Sequence, residues 1–238
     1  MKIDKKLVIL IMSSSNTVYS ELEKSIKETW YNIKSDDVEI IFYKDNENYI
    51  KYNDPQFDGC DLILPCNDGF QTLGVKTLMA LDWVNSNYNF EYIYRSNLGA
   101  YVDSDKMLEF LTDKPKENFY CGIVGEDTYY YGVPVRFASG SGYFLSNDVV
   151  EIILNNSDMW NHNVVDDVAL GKLLSNLSIN INESAIRLNY CDNNVFYNVG
   201  SNVVDNVSDD IIYHIRLRSD DRNIDINRMK ELYKNKNK

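Results

Sequence analysis

What the 238-residue chain lacks narrows its chemistry first. No apolar run approaches the roughly 18 residues needed to span a bilayer. The opening Lys-rich stretch with Leu7–Met12 behind it looks superficially like a secretion signal, but its apolar core is short and no small-residue cleavage site follows a longer one. The expectation is therefore a soluble, cytoplasmic protein without a membrane anchor. Positive charge is also scarce. Lys and Arg number 24 against 36 Asp and Glu, a net charge of −12. Such a surface repels phosphate backbones and argues against non-specific nucleic-acid binding, while a nucleotide remains admissible in a pocket that gathers a few cations. The four cysteines, Cys60, Cys66, Cys121 and Cys191, form no CxxC pair and no metal-finger spacing. They read as buried thiols of a reducing compartment. No internal repeat and no linker divides the chain, so one domain is expected.

What is present is an alternation of strands and helices. Leu7–Met12 is continuously apolar, the mark of a strand buried on both faces. Ser13-Ser14-Ser15-Asn16 follows it, either a nucleotide-contacting turn or a helix cap at Asn16 or Thr17, and the two readings are compatible. Leu22, Ile26, Trp30 and Ile33 recur at helical spacing. Val38–Tyr43 and Asp61–Leu64 read as further strands. Asp68 is placed to cap a helix bearing Phe70, Leu73, Leu78, Leu81 and Val84. Glu91–Arg95 is a central strand that gives way at Ser96-Asn97-Leu98-Gly99, with Asp103 as the N-cap of the helix after it. This βα order predicts an α/β fold with a mostly parallel sheet and helices on its faces. In such sheets ligands bind at the carboxyl edge.

Beyond the centre, Phe119–Gly125 reads as a strand and Tyr129–Pro134 as a hairpin or loop. Gly140 and Gly142, flanked by Ser139 and Ser141, allow close backbone approach. Ser146 or Asn147 starts a helix, and Asp166-Asp167 starts another, where the dipole favours an ionised carboxylate. Ile211–Arg218 reads as a strand whose His214, Arg216 and Arg218 share one face, and a last helix begins near Asp225. Alternation leaves open whether those three groups face a ligand or solvent.

Several of these segments resemble, in order and spacing, the inverting β1,3-glycosyltransferases of glycosyltransferase family 31, the group that includes fringe. They are Glu28-Thr29-Trp30, Asp61-Leu62-Ile63 with Asp68–Leu78 and Ala80–Trp83, Phe137–Ser146, and Val165-Asp166-Asp167-Val168-Ala169-Leu170-Gly171. The resemblance covers roughly residues 7 to 178. It implies a GT-A fold with a Rossmann-like central sheet, a nucleotide-binding half at about 1–105 and an acceptor and catalytic half at about 106–238. It implies a UDP-sugar donor, a glycan acceptor, and Asp167 as the base of an inverting transfer, with Asp166 beside it. The other reading of this acidic pair is a helix cap and a first-turn acid.

The chain departs from the family where three acids would bind Mn²⁺ and the donor diphosphate. Asn97, Leu98 and Gly99 stand there, and a hard divalent ion wants several charged oxygens. No metal ligand is therefore expected. The donor would then rest on Ser13, Ser14, Asn97 and Gly99 and on the cations Lys76, Arg95, His214, Arg216 and Arg218, since guanidinium groups grip phosphate bidentately. A solvated basic face is the alternative. Gly140, Ser141 and Gly142 are candidates for the acceptor, with Trp160 and His162 for stacking on a sugar, or as core residues. Two further readings stay open: a non-catalytic GT-A module that has lost its metal, and a metal enzyme whose ion sits on His214 and an acid not yet located.

Overall fold

The computed structural model describes residues 2–15, 17–32, 34–46, 54–128, 132 and 134–236. Asn16, Ile33 and most of the Tyr129–Pro134 segment lie outside the described residues.

The chain runs β1 (Ile3–Met12), α1 (Thr17–Lys27), β2 (Val38–Asp45), β3 (Gln56–Asp58), β4 (Asp61–Leu64), α2 (Leu73–Asn87) and β5 (Tyr88–Asn97). It continues through β6 (Ala100–Val102), α3 (Ser104–Leu111), β7 (Tyr120–Asp127), β8 (Val135–Ser146), α4 (Asn147–Asn155) and α5 (Asp166–Asn176). It closes with β9 (Ile181–Asn182), β10 (Ile186–Cys191), β11 (Val195–Val199), β12 (Asn202–Val204), β13 (His214–Arg218) and α6 (Arg222–Lys236).

Eight strands form the main sheet in the order β3-β4-β2-β1-β5-β8-β7-β9. β1 lies parallel to β2 on one side and to β5 on the other. Only β3 and β8 oppose the common direction. This is the expected α/β architecture. Sandwiched this way, β1 buries Leu7 to Ile11 almost completely, and each such side chain contributes roughly 1.5–3 kcal/mol of hydrophobic stabilisation. Strand alternation sends these side chains to two cores. Val8 and Leu10 pack with residues of α2, α4 and α5. Leu7, Ile9 and Ile11 pack with α1, α3, α6 and one side of a second sheet.

That second sheet, β12-β11-β10-β13-β6, was not anticipated. The central strand continues through Ser96 to Asn97, and a two-residue turn at Leu98-Gly99 passes the chain directly into β6, which pairs with β13. Gly99 is required there: a Cβ would stand 2.9 Å from the carbonyl oxygen of Leu217. β13 itself is shorter than the sequence implies, starting at His214, and α6 starts earlier, at Arg222.

Caps fall in part where the sequence puts them. Asp103 accepts from the backbone of Lys106 and starts α3. Asp68 does not cap: the helix is led in by a 3₁₀ turn at Phe70–Thr72, and Thr72 holds the N-cap position without a side-chain bond. Ser146 holds the N-cap position of α4, but its hydroxyl binds Asp148 instead of the helix backbone. All four cysteines are free thiols; Cys66 and Cys121 are buried, Cys60 and Cys191 half-buried. Among the described residues no helix is long and apolar enough to cross a membrane.

Candidate active site

At the carboxyl ends of β1 and β5, where Met12 stands opposite Asn97, an open cleft of about 550 Å³ forms. This is the carboxyl edge of the sheet, where open α/β sheets bind ligands. Ser13 and Ser14 follow β1 into it, Asn97 to Gly99 form one side, and Arg216 and Arg218 of β13 with Arg222 of α6 form a basic wall. Phe70 and Tyr19, both exposed, stand at its mouth.

The floor is an ion network. Lys76 is buried, and its Nζ donates to Asp68 at 2.9 Å and to the Ser13 carbonyl at 3.2 Å, with Asp45 at 3.5 Å. Two carboxylates thus answer its charge, so Lys76 is not a spare cation for a diphosphate. Burial pushes the Asp68 carboxyl up, but hydrogen bonds from Ser14 and Lys76 outweigh this and hold it below the usual carboxylate range. The Ser13 hydroxyl turns away to Glu23 at 2.6 Å, leaving Ser13 to meet the cleft with its backbone.

The basic wall keeps two of its three expected groups. Arg216 and Arg218 line the cleft and have no ion-pair partner among the described residues. Burial, then the adjacent Arg218, presses the Arg216 guanidinium below its ordinary pKa. His214 shares their face but is buried, with Nδ1 2.7 Å from the Tyr94 hydroxyl. Burial first, then Arg187 and Arg216, drives its pKa well below the ordinary imidazole value. It is a neutral ring, not a cation for phosphate, and its positive neighbours oppose a metal ion as well. Alternation gave the right face, but not the depth to which the strand dives at its start. Arg222 was missed because the last helix begins one turn earlier than its acidic signal implied; its Nη1 is partly committed to Asp225 at 2.8 Å.

The paired carboxylates divide their roles. Val165 holds the N-cap position of α5, so neither acid is the cap. Asp166 is buried and accepts from Arg95 at 2.6 Å and Thr77 at 3.2 Å. Arg95, also buried, spends its remaining donors on the Tyr43 hydroxyl, the Gly140 carbonyl and the Met12 sulfur. Arg95 is therefore a strut within the sheet rather than a phosphate ligand, and Asp166 is its counter-ion rather than a catalytic group. Asp167 is different. One oxygen accepts from the Gly140 backbone at 2.8 Å and the other from Val168 at 2.9 Å. Burial, then Asp166 beside it, raises its carboxyl above the usual value. An ionisable oxygen with a raised proton affinity is chemically a base. Gly140 links it to the cleft, because the Gly140 carbonyl also lies 3.4 Å from Asn97 Nδ2.

The acceptor candidates fare worse. A Cβ on Gly140 would stand 2.8 Å from Arg95 and 3.0 Å from Asp167, and one on Gly142 would collide with the Tyr94 hydroxyl. These glycines admit protein groups, not a sugar. Ser141 and Gly142 are buried within β8. Trp160 is buried in the core and, with the half-buried His162, packs against Gly74 of α2. Neither ring presents a free face to the cleft.

Leu98 is buried and apolar, Gly99 has no side chain, and the one Asn97 carbonyl oxygen already accepts from the Gly99 backbone at 3.0 Å. Among the described residues no group of three or more His, Cys, Asp or Glu could hold a metal ion. The residues do not fit a Mn²⁺ site.

A family model described as galactosyltransferase matches residues 22–185. The chain is similar to human beta-1,3-galactosyltransferase 1, 24% identical over 212 residues, which cover 75% of this chain and 63% of that protein. It is similar to beta-1,3-galactosyltransferase 5 of Pan paniscus, 25% identical over 134 residues, covering 49% of this chain and 44% of that protein. The chain thus spans about half to three fifths of the length of the curated relatives it matches. Among solved structures, the galactosyltransferase LgtC in complex with donor and acceptor sugar analogs aligns over 96% of this chain and 95% of its own, at 10% identity and TM-score 0.47. The apo-form glycosyltransferase GlyE of Streptococcus pneumoniae aligns over 76% of this chain and 46% of its own, at 13% identity and TM-score 0.43.

Proposed function

This chain belongs to the galactosyltransferase family, and from that premise we propose that it transfers a hexose from a UDP-sugar to a hydroxyl of a glycan acceptor, with inversion and without a bound metal ion. The observation that carries the proposal is the pair Arg216 and Arg218, which enter the cleft without a carboxylate partner among the described residues, facing the Asn97–Gly99 turn. A protein of net charge −12 that leaves two guanidinium groups unanswered in a cleft is built for an anion. A diphosphate fits that charge, and preorganised cations stabilise it as it leaves.

In this mechanism the diphosphate lies along the basic wall. Phe70 and Tyr19 offer aromatic faces to the base. The acceptor oxygen attacks the anomeric carbon from the side opposite the diphosphate. The carbon–oxygen bond to UDP breaks, and UDP leaves with the electron pair. Asp167 takes the acceptor proton, which its raised pKa favours. Arg95 and Asp166 hold the strand carrying Gly140, and so the position of Asp167, in place. The donor falls to the half at about 1–105, aided by the arginines of β13, and the acceptor to the half at about 106–238. Location in the cytoplasm is part of the same proposal.

The replaced acids favour a second reading, a nucleotide-binding module without turnover. One experiment separates the two. UDP release is measured from a panel of UDP-sugars with glycan acceptors, in EDTA and in Mn²⁺. Acceptor-dependent release in EDTA supports the enzyme. UDP binding without release from any donor supports the module.

A further inference from the structure

Arg187 of β10 is buried at 5% exposure and has no carboxylate partner among the described residues. Arg95, the other buried arginine, is answered by Asp166. The partners of Arg187 are two neutral hydroxyls: Nη1 donates to Ser139 Oγ at 3.2 Å and to Ser141 Oγ, and Nε has none. Its charged neighbour is Arg216, of like sign, and burial together with Arg216 presses its pKa down to about 10. A buried guanidinium held only by neutral groups lacks its counter-charge. Hydroxyls satisfy donors but cannot neutralise a cation.

Leu188 pairs with Ile215 and Asn189 with Arg216, so Arg187 lies opposite His214, two residues before the pair of Arg216 on β10. The donor-facing arginines 216 and 218 lie on the cleft side of that position. Ser139 and Ser141 flank Gly140, whose N–H holds Asp167. Ser139 is only half-buried, so the hydroxyl pair is not wholly sealed from solvent.

We propose that Arg187, with the hydroxyls of Ser139 and Ser141, binds an anionic substituent of the acceptor sugar, a carboxylate or a phosphate, and so presents that acceptor to Asp167. This rests on the glycosyl-transfer reading only for the identity of the acceptor; the anion site stands on Arg187 itself.

The test is calorimetry on the full chain, free and saturated with UDP, with three probes: methyl β-glucuronoside for the carboxylate, glucose 6-phosphate for the phosphate, and methyl β-glucoside as the neutral control. At least one anionic probe is expected to bind about tenfold or more tighter than the glucoside, the scale of a charge-assisted hydrogen bond. The stronger of the two names the anion. Arg187→Gln is expected to abolish the preference. Arg187→Lys, which keeps the charge but loses the fork, is expected to keep part of it. Circular dichroism and UDP affinity check the fold of both variants. Equal binding of all three probes by the wild type overturns the proposal, as does a preference that survives in folded Arg187→Gln. Should UDP itself not bind, the donor reading fails, while the arm without UDP still decides the anion site.

Discussion

Replacing Asp167 by Asn isolates the chemical step. The amide is nearly isosteric and keeps an oxygen to accept from Gly140 at the present 2.8 Å, so the local strand is expected to hold. What disappears is the ability to take a proton. General-base catalysis is worth about 10²–10⁴ in rate, so turnover is expected to fall at least about a hundredfold, roughly 2.7 kcal/mol of transition-state stabilisation. UDP affinity is expected to stay near the wild-type value, because the arginines of β13 bind the donor. Stability moves the other way. The folded pKa of Asp167 lies above its unfolded value, so its favourable contribution is present below the unfolded pKa and is lost as pH rises through the folded one. Once ionised, the carboxylate is therefore a burden, and above the folded pKa the relief of that burden in the Asn variant offsets the acceptor lost to the Val168 N–H, so its melting point is expected to stay near the wild type's. The same shift sets the acid limb of the wild-type pH–rate profile above the usual carboxylate value of about 3.9. The assay is UDP release under saturating donor, with calorimetric UDP binding and a thermal transition on the same sample. Near-normal turnover by Asp167→Asn would refute the reasoning.

Arg216→Ala or Arg218→Ala is expected to cost about 1–3 kcal/mol of UDP affinity, the worth of a charged hydrogen bond, and to flatten the salt dependence of binding seen by calorimetry. Leu217, between them, is 1% exposed and packs in the core; Leu217→Ala is expected to cost about 2–5 kcal/mol of stability in urea denaturation while sparing UDP affinity in the fraction that folds. Gly142→Ala drives a methyl into the Tyr94 hydroxyl beside His214, and its thermal transition is expected to fall clearly below that of a control Ser139→Ala.

The central strands were legible because burial on both faces leaves a continuous apolar run, as at Leu7–Ile11. The helix at Asp166 was legible from its acidic first turn and the apolar residues behind it. The second sheet was not, apart from its strand β13. Its other strands are short, Asn202–Val204 and Ile186–Cys191 among them, and strand pairing across more than 100 residues of chain leaves no local trace: β6 meets β13 only in the fold. β8 hid as well, because Ser139–Gly142 has turn composition while its glycines answer to Tyr94, Arg95 and Asp167. In the site, alternation pointed to Arg216 and Arg218, and the family resemblance to Asp167. Type alone could not say that Lys76 and Arg95 meet carboxylates, that His214 is buried and neutral, or that Trp160 is packed on Gly74. Those facts are tertiary. Arg187 and Arg222 escaped for the same reason, standing alone in sequence and meeting the cleft region only through β10 and α6.

Calorimetry of UDP binding in EDTA and again in Mn²⁺ tests the central claim most directly. With Asn97, Leu98 and Gly99 facing unanswered arginines, affinity is expected to be the same in both within about twofold, and to weaken as salt rises because side-chain cations are screened. Binding that requires Mn²⁺ and ignores salt would contradict the account.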